Sequence, residues 1–450
     1  MRYFCWLTLW FFGILFHITS SEFWPVTISK TWLPYTSFES SMLQKPLLTL
    51  FLALFHLLPL TDTIHIFLVK TVFSVFGVVA LIYFSHFLLE LTQFEHKTIK
   101  KPDLAALLAV LLVCISPLIR NNFFNIRSDQ IAFLLFSFFL YFCGRNELRL
   151  AIISLVLIPC FGIKEIIFLL PGSLYFYWSF RSAFTPKVLV LTLLSAATIL
   201  VWVVALNVSS VFYLFETFLG ADYSLRFGIG GIQSEYGALT ASLIGLIYIF
   251  AFRLKKYYQI CIVAVVVSLL FLIIPQANSF FIASLLPIIF MPFLVLLLDS
   301  KPGKFLKSAE VVMAFVWSAG FFSYYNLPWY ESNIKQLWFI EMASNVVASH
   351  KFTYLDGQGI LPRQNFLPCF VSPEDDQANN SCWQRMAIEK PEALIITRRL
   401  YYLGADVFKI AQDGYIQLYP NFWIRKDKMN EDLNSKVDLS GRNPIPIIIF

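Results

Sequence analysis

Long apolar runs constrain this chain more than any other feature of its sequence. Of its 450 residues, 58% are hydrophobic and only 14% are charged, which is more apolar surface than one aqueous core can hide. The sequence therefore predicts a polytopic α-helical membrane protein with about 11 transmembrane helices. The apolar runs lie at 4–19, 65–90, 103–118, 130–143, 149–162, 165–179, 188–206, 237–252, 259–274, 279–298 and 308–323.

Several of these runs are short for a membrane crossing. The runs 130–143 and 149–162 fall below the roughly 20 residues that a full crossing needs. Because unpaired backbone groups cannot face lipid, we expect such helices to end at a polar cavity inside the protein.

The charges divide the chain into two regions. Residues 1–324 carry 21 Lys and Arg against 14 Asp and Glu, whereas residues 325–450 carry 13 against 14. This predicts a transmembrane domain over 1–324 and a soluble domain over 325–450. Within the second region, 331–349 has the periodicity of an amphipathic helix, and 351–355, 393–397 and 415–419 are typical of short strands, which predicts an α/β or α+β domain. The excess cations lie in short loops between apolar runs, so no nucleic-acid partner is expected.

The run at 46–60 decides the orientation of the protein. If this run crosses the bilayer, the basic loop 96–101 lies outside the cell. If the run instead lies along the interface as a juxtamembrane helix, nearly all Lys and Arg of the loops lie on the inner side. The positive-inside rule selects the second arrangement. The N-terminus is then cytoplasmic and the 325–450 domain extracytoplasmic. Residues 2–20 resemble a signal peptide or an uncleaved anchor, and no A-x-A-like cleavage site follows them.

Cysteine usage agrees with that orientation. Five of the seven cysteines lie in apolar runs, where a small soft side chain packs well. Cys369 and Cys382 flank a polar stretch in the exported region, where an oxidising compartment permits a disulfide. Two unpaired thiols are the alternative.

Ionisable residues concentrate in three loops that this orientation places outside. Ionisable residues are costly where they face lipid, and those kept there are commonly functional. Together they suit a cavity for a lipid phosphate and a polar acceptor. They are Glu22, Lys30, Glu39 and Lys45; Arg120, Arg127 and Asp129; and Glu216, Asp222, Arg226 and Glu235.

At these residues the chain resembles a known family. The motifs Ser-Glu-Phe-Trp-Pro at 21–25, Leu-Pro-Tyr at 33–35 and Lys-Pro-Leu-Leu at 45–48 resemble the first outer loop of the C-type glycosyltransferase superfamily. More narrowly, they are similar to the bacterial dolichyl-phosphate-mannose–protein mannosyltransferase and aminoarabinose transferase group. Arg-Ser-Asp at 127–129 is similar to that group's Arg-Pro-Asp helix entry.

This resemblance implies an enzyme of the bacterial inner membrane. It would transfer a sugar, with inversion, from a polyprenyl-phosphate-linked donor to a lipid, glycan or protein acceptor. Glu22 is the candidate general base, with Glu39 as a rival that does not match the motif. Lys45 matches the lysine that binds the donor phosphate.

The remaining site residues are assigned on charge and position. Arg120, Arg127 and Arg226 are further phosphate ligands, or interfacial lipid contacts. Asp129 is a second acid that orients the base or the acceptor, or it simply caps its helix. The outer loops lack His and show no ligand spacing, so no metal or other cofactor is expected.

Two other classes of function stay open. One is a transporter or flippase of lipid-linked sugars, although no pair of related halves is visible. The other is a polysaccharide polymerase or ligase, which would share the donor. The exported region is either a structural cap over the membrane cavity or a recognition domain for the acceptor.

Overall fold

Helices dominate the described part of the chain, in a computed structural model that forms two compact units. The first unit comprises Met1–Ile14, Glu39–Leu48 and Lys70–Leu327; the second comprises Leu15–Phe38, Thr49–Val69 and Pro328–Phe450. The structure describes residues 2–15, 26–27, 29, 46–94, 100–115, 125–162, 165, 168–180, 236–273, 286–298, 333–367, 369, 382–397, 400, 403, 406–435 and 437.

The elements follow the apolar runs of the sequence closely in position. The helices are α1 Arg2–Leu15, α2 Pro46–His56, α3 Asp62–Thr92, α4 Lys101–Ile115, α5 Ser128–Gly144, α6 Leu148–Phe161, α7 Leu169–Phe180, α8 Tyr236–Ala251, α9 Tyr258–Ile273, α10 Leu286–Leu298, α11 Asn333–His350, α12 Asp406–Gly414 and α13 Glu431–Ser435. The strands are β1 Thr353–Leu355, β2 Asn365–Phe366, β3 Ala393–Ile395, β4 Tyr415–Tyr419 and β5 Phe422–Arg425.

The predicted fold of about 11 transmembrane helices, and with it the C-type glycosyltransferase fold, is wrong. Among the described residues, α3 is the one helix that is both long enough and apolar enough to cross a membrane. The other strongly apolar helices have 10–17 residues. At 1.5 Å per residue, even 17 residues give about 26 Å, which is less than the roughly 30 Å of a bilayer core. Two of the predicted spans, 188–206 and 308–323, lie outside the described residues.

Features of the local sequence explain why the helices are too short to cross a membrane although the chain is strongly apolar. The helix α5 begins in a buried polar segment, Ser128–Gln130, and ends at Gly144, two residues before Asn146 adopts a left-handed φ of 58°. Prolines 159 and 292 sit inside α6 and α10, where each removes one backbone hydrogen bond. These interruptions hardly change the apolar content of a segment, so apolar content alone does not predict them.

In the first unit, α3 and α5 pack side by side in opposite directions. Near the start of α5, the side-chain amide of Gln130 donates to the Phe73 carbonyl of α3. Further along, the ring centroids of Tyr83 and Phe138 lie 4.7 Å apart at 90°. The polar start of α5 therefore faces the N-terminal half of α3, and the end of α5 faces its C-terminal half.

A glycine sets the distance between α8 and α10 in the same unit. A Cβ built on Gly245 would lie 2.5 Å from the Pro292 carbonyl carbon and 2.5 Å from the Phe293 nitrogen. These are backbone atoms, which cannot swing aside as a side chain can. Glycine thus permits a backbone approach that every other residue would block.

The second unit contains a five-stranded mixed sheet in the order β2-β1-β3-β5-β4. Its first three strands run parallel, and β5 pairs antiparallel with both β3 and β4. The helix α11 and both faces of the sheet contribute apolar side chains to buried clusters. Helix α11 and strands β1, β3 and β4 lie where the sequence predicted a helix and three strands.

The second unit also includes residues that the sequence assigned to the membrane domain. The buried carboxylate of Asp62, at the start of α3, accepts hydrogen bonds from Ser344 Oγ at 2.5 Å, the Arg363 backbone N–H at 2.6 Å and Gln364 Nε2 at 2.7 Å. The Arg363 guanidinium donates to carbonyls at the end of α2, among them that of His56 at 3.3 Å. This cation satisfies carbonyls that a helix end leaves free.

A disulfide joins Cys369 and Cys382 in the second unit. Both cysteines are buried in the cluster that contains Leu394 and Trp423. Four other cysteines are free and buried in the described first unit: Cys5, Cys143, Cys160 and Cys261.

Candidate functional site

Charged and polar residues gather at the start of α5 in the first unit. Arg127 precedes the helix in an extended conformation, and its side chain makes no capping hydrogen bond to the first turn. The Arg127 Nε lies 3.1 Å from Oδ1 of Asp129, and the two side chains are 9% and 0% exposed. Among the described residues, no group donates a hydrogen bond to either carboxylate oxygen of Asp129. Asp129 therefore does not cap the helix, and its need for hydrogen-bond donors is unmet.

A second carboxylate lies beside this pair. The Ser128 hydroxyl donates to Oε1 of Glu165 at 2.8 Å, and both residues are buried. A Cβ on Gly162 would come within 3.0 Å of Ser128 Oγ and 3.2 Å of Glu165 Cγ. The absence of a side chain at 162 thus leaves space for the Glu165 carboxylate to reach the start of α5.

A lysine of α3 lies one turn from this cluster. Gln130 donates to the carbonyl of Phe73, and Lys70 precedes Phe73 by three residues on the same helix. The Lys70 side chain is fully buried. Charges in an apolar interior are costly unless they are compensated, and polar groups held there are commonly functional.

Some of the predicted site residues lie in the described part of the chain, and others lie outside it. It brings Arg127 and Asp129 together, and it joins the two cysteines of the predicted disulfide. The predicted residues outside the described part of the chain are Glu22, Glu39, Lys45, Arg120 and Arg226. Sequence reasoning did not connect Glu165 with Ser128, because 37 residues separate them.

The second unit contains a polar turn that sequence reasoning missed. At the carboxyl end of β1, the buried carboxylate of Asp356 accepts hydrogen bonds from the backbone N–H groups of Gln358 at 2.9 Å, Gly359 at 2.6 Å and Ile360 at 2.6 Å. Gly357 and Gly359 have φ of 78° and 75°. The visible signal was Asp-Gly-Gln-Gly directly after a predicted strand, a pattern typical of a tight turn.

Burial changes the pKa of the Asp356 carboxyl group in this turn. Desolvation raises the pKa of Asp356 to about 6, although the three backbone donors oppose that rise. The amide of Gln358 is fully buried, and neither its oxygen nor its nitrogen has a hydrogen-bond partner among the residues the structure describes. The turn thus has three backbone hydrogen bonds to Asp356 and an unsatisfied amide at Gln358, at the strand edge where parallel sheets commonly bind ligands.

The described residues show no group of three or more His, Cys, Asp or Glu side chains that could hold a metal ion. The cluster at α5 instead combines one guanidinium with two carboxylates and a hydroxyl. A guanidinium beside an uncapped helix start suits an oxyanion, and a buried carboxylate suits a hydroxyl donor.

Comparison with known proteins identifies no relative of this chain. No protein family model, no curated protein sequence and no solved structure matches the chain.

Proposed function

We propose that this protein is a membrane-associated glycosyltransferase that moves a sugar from a polyprenyl-phosphate-linked donor to an acceptor hydroxyl. The observation that carries the proposal is the buried Arg127–Asp129 pair at an uncapped helix start, with Asp129 lacking hydrogen-bond donors. The motif order in the first two loops supports the same reaction. The proposal concerns the reaction and does not require a particular number of membrane spans.

Arg127 would stabilise the departing phosphate. In a direct displacement, the bond from the anomeric carbon to the phosphate oxygen breaks, and negative charge accumulates on the phosphate. A fixed guanidinium lowers that barrier electrostatically, and the backbone N–H groups of the first turn of α5 add to its effect. Lys45, Arg120 and Arg226 are proposed as further phosphate ligands.

Asp129 would act on the acceptor side of the reaction. A hydroxyl that enters the cluster can donate its hydrogen bond to a carboxylate oxygen that now has none. Glu22 is the proposed general base, which takes the proton of the attacking hydroxyl. Asp129 would then hold the acceptor, or hold Arg127 against the phosphate.

The surface of the first unit supports a location at a membrane. Large apolar side chains are exposed on several helices, for instance Phe4 at 74%, Ile153 at 53% and Ile247 at 59%. Such surface suits a lipid environment. We propose the bacterial inner membrane, with the N-terminus cytoplasmic and the disulfide-containing region extracytoplasmic. The acceptor would be a lipid, a glycan or a protein of that compartment.

The test is sugar transfer by the purified full chain in proteoliposomes. The assay supplies polyprenyl-phosphate sugars together with an extract of envelope acceptors and detects the labelled product. We expect Asp129→Asn and Glu22→Gln each to lower turnover about 100-fold or more, as for other groups acting in proton transfer or substrate orientation. Arg127→Lys should lower it because a lysine cannot contact two phosphate oxygens at once.

The matched control is Arg145→Lys, at the opposite end of α5. Arg145 is exposed and pairs with Glu147 at 4.0 Å, so this change should leave transfer intact. Full turnover by Asp129→Asn would refute the site. Movement of the intact labelled donor across the bilayer, without transfer, would instead identify a transporter.

A further inference from the structure

A cleft in the first unit lies at the other end of α3 and α5 from the proposed catalytic cluster. It encloses about 360 Å³, which is within the range of small-ligand sites. Aromatic rings make up much of its wall, and the basic groups are Arg2 and His86. The lining residues are Arg2, Tyr3, Trp6, Ile82, Tyr83, His86, Pro102 and Tyr141.

If α3 crosses a membrane, its length puts this cleft near the membrane surface. Its 31 residues extend about 46 Å, which exceeds a bilayer core of roughly 30 Å by about 16 Å. If the excess is shared between the two ends, His86, six residues before the end of α3, lies close to the interface. Tyrosine and tryptophan are the residues that favour this depth.

The rings around the cleft are held in place by one another. The Tyr83 and Tyr141 centroids are 5.0 Å apart at 86°, and the His86 ring lies 6.5 Å from that of Tyr141. Arg145 donates to the Tyr141 hydroxyl at 2.5 Å. The hydroxyls and the imidazole can donate hydrogen bonds to a polar headgroup.

Arg2 supplies the charge that selects the ligand. Its guanidinium lies 4.7 Å from the Tyr3 centroid and donates to the Tyr3 hydroxyl at 2.8 Å. Since a guanidinium has five N–H donors, most are left for an oxyanion. The nearby carboxylate of Asp103 accepts from the Arg2 backbone nitrogen at 2.7 Å, which fixes the start of α1 beside the cleft.

An exposed apolar row on α1 lies on the helix face next to the one that lines the cleft, and Leu7 in this row follows Tyr3 of the cleft by one helical turn. Phe4, Leu7 and Phe11 are 74%, 58% and 60% exposed, and their spacing of three and four residues puts them on one helix face. An acyl chain can lie along this row while its headgroup occupies the cleft. A ligand that has an anionic headgroup followed by an apolar tail is a phospholipid.

We infer that this cleft binds the headgroup of an anionic phospholipid at the interface, with its acyl chains against the exposed face of α1. The geometry combines a cationic, aromatic-lined cleft with an adjoining apolar helix face. The inference does not rest on glycosyl transfer, because the cleft is remote from Arg127 and Asp129 along α5.

The test measures lipid binding to the delipidated full chain in a neutral detergent. Native mass spectrometry compares dioleoyl phosphatidylglycerol with dioleoyl phosphatidylcholine, and free glycerol phosphate is added as a competitor. We expect phosphatidylglycerol to bind about tenfold more tightly than phosphatidylcholine. Glycerol phosphate should not displace it at an equal concentration, because it lacks the chains that contact α1.

Variants connect the binding to the cleft. Arg2→Gln should lower the affinity for phosphatidylglycerol about tenfold, and Trp6→Ala should lower it by a similar factor. The control is Arg149→Gln, which removes the charge of an exposed arginine outside the cleft. A thermal melt of each variant establishes that it is folded.

Three results would overturn the inference. They are unchanged phosphatidylglycerol binding by Arg2→Gln, equal binding of the two lipids, and displacement of the lipid by an equal concentration of glycerol phosphate. The last would identify a soluble phosphate compound as the ligand.

Discussion

The Nε atom of Arg127 lies 3.1 Å from Oδ1 of Asp129 across the start of α5, and yet neither carboxylate oxygen accepts a hydrogen bond from the part of the chain that the structure describes. A buried ion pair of this kind compensates its desolvation poorly, because attraction alone rarely offsets the loss of water. A chain selected for stability alone would favour apolar side chains here. Such a pair is what we expect if a ligand completes it, as the proposed function requires.

Removing the arginine alone should destabilise the protein. In Arg127→Met the Asp129 carboxylate stays buried without its cation, and such a loss typically costs about 3–5 kcal/mol. The double variant Arg127→Met/Asp129→Leu should recover most of that stability while remaining inactive in sugar transfer. Thermal unfolding in detergent measures both. A double variant as unstable as the single one would show that the pair is a structural requirement.

The close approach of α8 and α10 gives a second prediction. In Gly245→Ala the new methyl group would meet backbone atoms of Pro292 and Phe293 at 2.5 Å. The helices must separate, and overpacking of this kind costs about 1–3 kcal/mol. The control is Gly414→Ala, since a Cβ there meets nothing within 4 Å. Equal melting temperatures for the two variants would contradict the close approach.

The carboxylate of Asp62 gives a third prediction, within the second unit. Asp62→Ala removes the acceptor for Ser344, Gln364 and the Arg363 backbone, which leaves buried donors unsatisfied. Each unsatisfied donor costs about 1–3 kcal/mol. We expect faster amide hydrogen exchange in residues 361–366 and in the start of α3. Asp103→Ala is a control carboxylate in the other unit, and it should leave exchange in 361–366 unchanged.

Local sequence predicted the positions of elements better than their lengths. Apolar runs located α3 and α5, because burying a continuous apolar stretch requires regular backbone hydrogen bonding. The runs did not reveal that most helices are too short to cross a membrane. Prolines, left-handed residues such as Asn146 and buried polar starts end or interrupt helices without changing the mean hydropathy.

The candidate site was predictable where its residues are close in sequence. Arg127 and Asp129 are two residues apart at a helix start, so their proximity follows from local geometry. The contact between Ser128 and Glu165 spans 37 residues, and that between Asp62 and Arg363 spans 301. Such contacts depend on how helices and strands pack, which one sequence does not specify.

The turn at Asp356 gives a pH prediction with a definite sign. Burial raises the pKa of Asp356 to about 6, from an ordinary value of 3.8. Between these two values the folded state holds the proton and the unfolded state releases it. The contribution of Asp356 to the stability of the folded state is therefore fully present below about pH 4 and is lost as the pH rises to about 6. The shift of about two pKa units corresponds to about 3 kcal/mol.

Hydrogen exchange of the three donor amides measures this effect directly. The protection factors of Gln358, Gly359 and Ile360 report on the turn, once they are corrected for the intrinsic pH dependence of exchange. In the parent protein they should decrease from pH 4 to pH 7, because ionisation of Asp356 costs desolvation that its three donors only partly offset. Asp356→Asn should lose most of this decrease, since its side chain cannot ionise.

A matched variant separates Asp356 from the other carboxylates. Asp413 is exposed in α12, so Asp413→Asn should keep the decrease in protection of the parent protein. If Asp356→Asn shows the same pH dependence as Asp413→Asn, the titrating group lies elsewhere. If protection instead increases from pH 4 to pH 7, the three backbone donors outweigh burial, and the pKa of Asp356 lies below its ordinary value.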